Sequence, residues 1–193
     1  MRLDHIAYRS KDRYKTAKFF EGCLGYTIAT EFNLQFDDGS TTECLAMAPP
    51  EDRHENVLEW TVNLADQDLE NGVEKQELNF HAYHAPSEIF VSDGPKGSIV
   101  GDWVEERGGI GGIHHIAYEV DDVEAVMKDW VKNGYAEFYS EKPLACEETN
   151  LVQVFTKPSE LTGVVYELIA RGKSNKGFCE KNVKALMEST KGK

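Results

Sequence analysis

The stretch Gly111-Gly-Ile-His-His-Ile-Ala-Tyr-Glu-Val-Asp-Asp122 decides the fold of this chain. Its glycines lead into an alternating apolar segment typical of a strand, and the two aspartates favour the start of a helix. The core of the stretch, His115-Ile-Ala-Tyr118, also occurs near the amino terminus as His5-Ile-Ala-Tyr8. A repeated strand of this kind indicates that the chain contains an internal duplication.

The segments that follow the two tetrapeptides also repeat. Each predicted strand is followed by a predicted helix that ends at a glycine and a tyrosine, Gly25-Tyr26 in one half and Gly134-Tyr135 in the other. The histidine precedes this glycine by 20 residues in the first half and by 19 in the second. With three strands predicted after each glycine, we interpret the chain as two βαβββ modules; chance reuse of a common strand sequence is the alternative.

The expected fold class is α+β, with the two modules forming a curved, open sheet around a metal cavity. Residues 1–107 are predicted to form the first module, with an insertion at about 50–76, and residues 108–172 the second. Residues 173–193 are predicted to be a loop and an amphipathic helix that cover the cavity. The last three strands of the second module are expected at 136–141, 151–156 and 163–171.

Composition and charge argue against several classes of binding partner. The net charge of −13 comes with no stripe of Lys and Arg, so nucleic acid and anionic membranes are poor partners. The sequence lacks both a membrane-length apolar run and the apolar core of a signal peptide, and we expect a cytoplasmic protein. The four cysteines are far apart and form no CxxC pair, which predicts reduced thiols. They are Cys23, Cys44, Cys146 and Cys179.

Three residues are candidate metal ligands. Strand alternation puts His5 and His115 on the face of the alanine two positions later, whereas His114 falls on the opposite, helix-facing side. A pseudo-twofold between the modules would bring His5 and His115 to one cavity. Glu167 lies within a buried-looking strand, where a carboxylate needs a metal, a basic partner or an exposed edge. Two histidines and a carboxylate suit Fe(II), and also Mn, Co, Ni or Zn.

Glu43 is a candidate catalytic residue. It lies in a predicted strand at 41–47 and faces the same way as Leu45 and Met47. If that face lines the cavity, Glu43 could act as a general base. A glutamate exposed at the edge of the sheet is the other interpretation.

The paired segments resemble the vicinal oxygen chelate superfamily of glyoxalases, bleomycin resistance proteins and dioxygenases. The closing segments Leu151-Val-Gln-Val-Phe-Thr-Lys-Pro158, Tyr166-Glu-Leu-Ile-Ala-Arg171 and Gly177-Phe-Cys-Glu-Lys-Asn-Val-Lys-Ala-Leu186 look like those of the catalytic half of 4-hydroxyphenylpyruvate dioxygenase. That resemblance implies iron held by His5, His115 and Glu167. It also implies substrate contacts from Gln153, Phe155 and Phe178.

Methylmalonyl-CoA epimerase is the second family that the sequence resembles. The segments Leu3-Asp-His-Ile-Ala-Tyr8, Glu43-Cys-Leu-Ala-Met-Ala-Pro49 and Gly112-Ile-His-His-Ile-Ala-Tyr-Glu-Val-Asp-Asp122 carry this resemblance. It implies that Glu43 is the catalytic base. The epimerase's additional metal-binding glutamine would fall on Phe90, which cannot bind a metal.

Three functions are carried forward. The first is a metal-dependent vicinal oxygen chelate enzyme, an Fe(II) dioxygenase acting on a small 2-oxo acid. The second is a metal-dependent epimerase, isomerase or lyase in which Glu43 removes a proton α to a carbonyl. The third is a binding module that sequesters a small molecule without a metal. Pairing of two copies as a homodimer stays open, because duplicated modules can exchange between chains.

Overall fold

The computed structural model describes residues 1–50, 57–63, 77–83, 87–172 and 177–191. The helices and strands in chain order are β1 (Arg2–Arg9), α1 (Arg13–Leu24), β2 (Thr27–Gln35), β3 (Thr41–Ala48), β4 (Val57–Asn63), β5 (Glu77–Tyr83), β6 (Glu88–Asp93), α2 (Ile99–Glu106), β7 (Gly112–Glu119), α3 (Val123–Lys132), β8 (Leu144–Cys146), β9 (Leu151–Phe155), β10 (Val165–Ala170) and α4 (Glu180–Ser189).

Eight of the strands form one sheet in the order β2-β3-β6-β1-β7-β10-β9-β8. The central strands β1 and β7 are antiparallel, and each has a parallel neighbour, β6 beside β1 and β10 beside β7. The next strands outward, β3 and β9, are antiparallel to those neighbours. The topology therefore repeats outward from the centre within a single chain. This curved α+β sheet confirms the predicted fold class.

Strands β4 and β5 form a separate antiparallel pair in a compact unit of residues 50–86. The insertion predicted at about 50–76 falls in this unit, and most of it lies outside the described residues.

The helices α1 and α3 pack on one face of the sheet. Helix α1 begins at the N-cap Asp12, whose side chain accepts from the Lys15 backbone N–H. Gly25 ends it in the left-handed conformation at φ 74°, which glycine adopts without strain. Ala17 and Phe20 of this helix are buried in one cluster with apolar side chains of β3 and β6. Helix α3 packs in the same way on β9 and β10.

Helix α4 packs with side chains from the opposite face of the sheet. Val183 and Met187 cluster with Ala7, Cys44 and Phe90. Alternation along the strands places these residues opposite the side chains that contact α1. Side chains from this face of the sheet and from α4 line a common cavity.

One strand predicted for the second module is not found in the structure. Residues 136–141 do not form a regular strand and contribute an isolated bridge between Phe138 and Thr156. The outer strand is instead the short β8, Leu144–Cys146, which pairs with β9.

The prediction of four reduced thiols is also wrong. A disulfide joins Cys146 of β8 to Cys179, the residue before α4, across 33 positions of sequence. Cys23 and Cys44 are free. Docking of the tail on the sheet brings Cys146 and Cys179 together, and sequence spacing alone does not reveal that contact. No helix of the described residues is long and apolar enough to cross a membrane.

Candidate metal centre

His5 of β1, His115 of β7 and Glu167 of β10 converge in the cavity. Nε2 of His5 lies 3.2 Å from Nε2 of His115, and Oε2 of Glu167 lies 3.4 Å from the first nitrogen and 3.2 Å from the second. All three side chains are buried. The residues predicted to be ligands are thus brought together with one donor atom each facing a common point.

The spacing of these donor atoms fits a divalent ion. Two ligands about 2.1 Å from an ion and at right angles are roughly 3 Å apart, close to the separations found here. The donor set of two imidazoles and one carboxylate suits Fe(II), Mn, Co, Ni or Zn. The three ligands can occupy one triangular face of an octahedral ion and leave its other positions open.

Two β-bulges place further polar groups beside the ligand histidines. Leu3 pairs with Tyr118 and His5 with Ala117, so Asp4 is an additional residue in β1. A second register shift, between Ala7 and Tyr8, makes His114 an additional residue in β7. A bulge changes the direction of a side chain that regular alternation would turn to the other face. His114 therefore lines the cavity, and its predicted helix-facing position is wrong.

Asp4 orients His5. Its Oδ1 lies 2.7 Å from Nδ1 of His5, and Arg171 holds the carboxylate through Nε and Nη2 at 2.6 and 2.8 Å. Burial opposes charge on both partners, but these bonds outweigh it, so the pKa of Asp4 falls to about 2. The pKa of His5 rises to about 9, because hydrogen bonds to Asp4 and Glu167 outweigh its burial. A carboxylate behind a ligand histidine fixes its tautomer and ring orientation.

His115 has a neutral partner instead. Its Nδ1 lies 2.9 Å from Nδ1 of His114. Burial lowers the pKa of His115 and lowers that of His114 well below the usual range, with the nearby Arg9 charge contributing to both. With Nε2 of His115 as ligand, its Nδ1–H can donate to His114. The two histidine ligands therefore lie in opposite electrostatic settings.

Glu167 is positioned by two amides. Nε2 of Gln153 donates to Oε1 of Glu167 at 2.7 Å, and Nδ2 of Asn182 on α4 donates to Oε1 of Gln153 at 3.0 Å. Burial alone would raise the pKa of Glu167, but hydrogen bonds from His115 and His5 hold it well below its usual range. The carboxylate is therefore ionised and has one oxygen directed at the histidines.

Aromatic rings enclose the centre. Phe155 lies 4.7 Å from the His115 ring and Phe178 lies 4.9 Å from the His5 ring, measured between centroids. Phe90 contacts Phe178, also at 4.9 Å. The cavity has a free volume of about 20 Å³, which is room for one or two water molecules. Gln153, Phe155 and Phe178, for which the resemblance implies substrate contacts, all line it.

Glu43 does not reach this cavity. It shares the strand face of Leu45 and Met47, but these residues pack against α1 on the opposite side of the sheet. Nη2 of Arg13 donates to Oε2 of Glu43 at 3.4 Å, and the Glu43 side chain is 28% exposed. The prediction that Glu43 faces the cavity is therefore wrong, because the cavity side of β3 carries the even-numbered residues around Cys44.

Sequence reasoning missed four polar residues around the centre. Asp4 directly precedes His5 in the sequence, which was a usable signal. It was missed because strict alternation places adjacent residues on opposite faces of a strand. Arg171, Asn182 and Arg9 reach the centre or its cavity through tertiary packing, and their positions in sequence carry no comparable signal.

Comparison with known proteins identifies the family. The family model described as the Glyoxalase/Bleomycin resistance protein/Dioxygenase superfamily matches residues 4–152. No curated protein sequence matches the chain.

Several solved structures share the fold. A selenomethionine methylmalonyl-CoA epimerase is 20% identical, with 90% of this chain and 97% of that chain covered and a TM-score of 0.59. A mutant 4-hydroxymandelate synthase from Streptomyces coelicolor is 16% identical over 97% of this chain, with a TM-score of 0.69, and the match covers 52% of the synthase. A Mycobacterium tuberculosis methylmalonyl-CoA epimerase is 18% identical, with 88% and 87% of the two chains covered and a TM-score of 0.55. The duplicated sheet, the converging ligands and the family match agree, and the chain belongs to the glyoxalase, bleomycin resistance protein and dioxygenase superfamily.

Proposed function

We propose that this protein is an Fe(II)-dependent dioxygenase that acts on a small 2-oxo acid. The observation that carries the proposal is the three-residue ligand set of His5, His115 and Glu167, which suits a ferrous ion with open positions. A ferrous ion bound there would supply sites for the two oxygens of a 2-oxo acid and for dioxygen, together with reducing electrons.

The register of the sheet shows which group occupies the position in the first module that corresponds to Glu167. Ala117 pairs with both His5 and Glu167, which places these two ligands in one row. In the equivalent row Ala7 pairs with both His115 and Phe90. The position related to Glu167 by the duplication is thus an aromatic ring, which cannot bind a metal, so among the described residues that side of the centre has no fourth ligand.

The surrounding residues fit a reaction that needs a fixed metal centre and little water. Gln153 and Asn182 restrain the Glu167 carboxylate through a chain of hydrogen bonds. Phe155 and Phe178 cover the two histidines and limit the water that reaches them. Both phenylalanines are positioned to contact a substrate bound at the centre, which is the role that we propose for them.

The cavity offers little for carboxylate-based proton abstraction. Among the described residues that line it, Glu167 is the one carboxylate, and its place is at the metal centre. Glu43 lies on the opposite face of the sheet. This distribution favours oxygen chemistry over an epimerase mechanism with Glu43 as base.

The test is an oxygen-electrode measurement on protein loaded anaerobically with one equivalent of Fe(II). We expect oxygen uptake that requires both iron and a 2-oxo acid, drawn from a panel of aliphatic and aromatic acids. Zn(II)-loaded protein and the His115→Ala variant should give none. Tight iron binding without uptake on any acid in the panel would contradict the proposal.

A metal-dependent epimerase is the second candidate, favoured by the match over 97% of an epimerase chain. It predicts that solvent deuterium enters the α position of an acyl thioester without oxygen. Because Glu43 is directed away from the centre, Glu43→Gln should leave any such exchange intact.

A further inference from the structure

Arg9 is a buried cation that forms no ion pair with any residue that the structure describes. It is 4% exposed and lines the same cavity as the three candidate ligands. Its Nη2 donates to the hydroxyl of Thr190 at 3.2 Å, and its guanidinium carbon lies 5.7 Å from the centre of the Trp103 ring. Both partners are neutral, and no carboxylate of the described residues forms an ion pair with Arg9.

Two other arginines beside the sheet, both partly buried, have carboxylate partners. Arg13 pairs with Asp93, and Arg171 pairs with Asp4. Such pairing is the usual condition for burying a charge, because an uncompensated buried ion is strongly disfavoured. Arginine stays protonated and presents a planar fork of donors that matches a carboxylate. The absence of a carboxylate beside Arg9 within the described chain therefore points to an anion supplied by a ligand.

The position of Arg9 relative to the metal centre indicates the length and the polarity of that ligand. Alternation along β1 puts His5, Ala7 and Arg9 on one face, and four residues of strand span about 13 Å. Ala7, Phe90 and Phe155 line the cavity as well, so an apolar section accompanies the two polar ends. Ser92, another polar residue of the lining, is the register partner of Arg9 on β6.

We propose that Arg9 binds a second carboxylate of the substrate, which makes the substrate a 2-oxo dicarboxylic acid. The inference rests on the proposed function for the chelating end of that acid. The hydroxyl that Arg9 now contacts belongs to Thr190, directly after α4. When this segment moves aside to admit a substrate, the incoming carboxylate takes the place of that hydroxyl and accepts two hydrogen bonds from the guanidinium.

The test is a binding measurement that needs no turnover. Co(II)-loaded protein is titrated anaerobically with 2-oxoglutarate and with 2-oxopentanoate, which have the same carbon chain but end in a carboxylate and a methyl group. The visible absorption of cobalt reports occupancy. We expect wild-type protein to bind the diacid at least about tenfold more tightly, the size of effect that a charge-assisted bidentate pair gives. The same titration with 2-oxo diacids one carbon shorter and one carbon longer tests other chain lengths.

Two Arg9 variants separate recognition from folding. Arg9→Met should reduce diacid affinity to that of the monoacid and leave the monoacid within about twofold of wild type, whereas Arg9→Lys should retain part of the preference. Thermal unfolding and cobalt content establish that each variant is folded and loaded. Equal affinities for diacid and monoacid at every chain length in wild type would overturn the proposal, and this result does not depend on any variant.

Thr190→Val is the matched control. It removes the hydrogen bond between Arg9 and the tail but keeps the guanidinium, so the diacid preference should persist. Loss of the preference in Thr190→Val, or equal weakening of both acids in Arg9→Met, would assign Arg9 a purely structural role. A diacid preference without oxygen uptake by the iron form would reject the dioxygenase and leave the Arg9 assignment standing.

Discussion

The two modules place different groups at equivalent positions beside the metal centre. In the second module Glu167, a candidate metal ligand, lies one strand away from the histidine strand, whereas the first module has Phe90 at that position. One member of the duplicated pair thus offers a carboxylate to the proposed ligand set, and the other supplies an aromatic wall. The duplicated fold therefore has an asymmetric site, with a carboxylate at one of the two equivalent positions and an aromatic ring at the other.

The residues behind the two ligand histidines differ as well. The bulge residue beside His5 is the anionic Asp4, and the bulge residue beside His115 is the neutral His114. Burial lowers the pKa of both histidines, but hydrogen bonds to Asp4 and Glu167 outweigh it for His5 and raise its pKa, whereas the pKa of His115 stays lowered by burial together with the nearby charges of His5 and Arg9. The same local feature, a one-residue bulge, thus places an anion behind one histidine and a neutral ring behind the other.

The largest expected effect comes from removing the ligand that distinguishes the modules. Glu167→Ala should weaken Fe(II) binding by roughly a thousandfold or more, since loss of an outer partner alone costs 10–100-fold. Phe90→Ala at the equivalent position should keep one iron per chain. Metal analysis and calorimetric titration measure both. Equal losses in the two variants would show that the modules contribute symmetrically.

Reduction of the Cys146–Cys179 disulfide tests whether the tail is anchored to the second module. A cross-link across 33 positions is expected to contribute about 3–4 kcal/mol to the free energy of unfolding by restricting the unfolded chain. Urea unfolding with and without reductant measures the difference. Cys146→Ser should behave like the reduced protein, and Cys23→Ser, at an exposed free thiol, should match the oxidised wild type. Identical midpoints for the reduced and oxidised protein would contradict this role.

Phe90→Gln would make the first module resemble the second. The new amide could bind the metal as a fourth protein ligand, and we expect metal affinity to rise about tenfold, within the range of effects found for groups around a metal. Oxygen uptake should fall, because one open position is filled. Phe90→Leu controls for loss of the ring and should leave metal affinity unchanged. Unaltered affinity in Phe90→Gln would show that the aromatic wall lies too far from the ion.

A pH dependence of metal binding tests the difference between the two histidines. His5 is protonated at neutral pH in the metal-free protein because its pKa is about 9, and the metal must displace that proton. Apparent affinity should therefore rise about tenfold per pH unit as pH increases towards 9 and level off above it. Calorimetry at pH 7 in buffers of different ionisation enthalpy should detect about one released proton.

Asp4→Asn is the matched variant for this pH dependence. Removing the carboxylate should lower the pKa of His5, flatten the slope between pH 7 and 9, and reduce proton release at pH 7. A pH-independent affinity in wild type would mean that both histidines are neutral before the metal binds.

The sequence leads to the three candidate ligands that the structure brings together, because their signals are regular. Alternation and the repeated tetrapeptide lead to His5 and His115, and a lone carboxylate in an apolar strand leads to Glu167. Alternation gives the wrong side-chain direction for Asp4 and His114, because each is the additional residue of a β-bulge.

Other features depend on which elements pack together. Alternation groups Glu43 with Leu45 and Met47 correctly, but the strand pattern does not say which face meets a helix. The disulfide requires docking of Cys179 on β8, and the predicted strand at 136–141 is replaced by β8 at Leu144–Cys146. Local sequence patterns do not encode these long-range contacts.

The small volume of the cavity has a consequence for binding kinetics. A free volume of about 20 Å³ is small for an organic acid, so we expect substrate to bind an open form in which side chains around the cavity have moved. If the open form is a minor population, the apparent dissociation constant is the intrinsic constant divided by the open fraction. Stopped-flow binding should then level off at high ligand concentration, at the rate with which the Arg171–Gly177 and Arg9–Thr190 contacts release the tail.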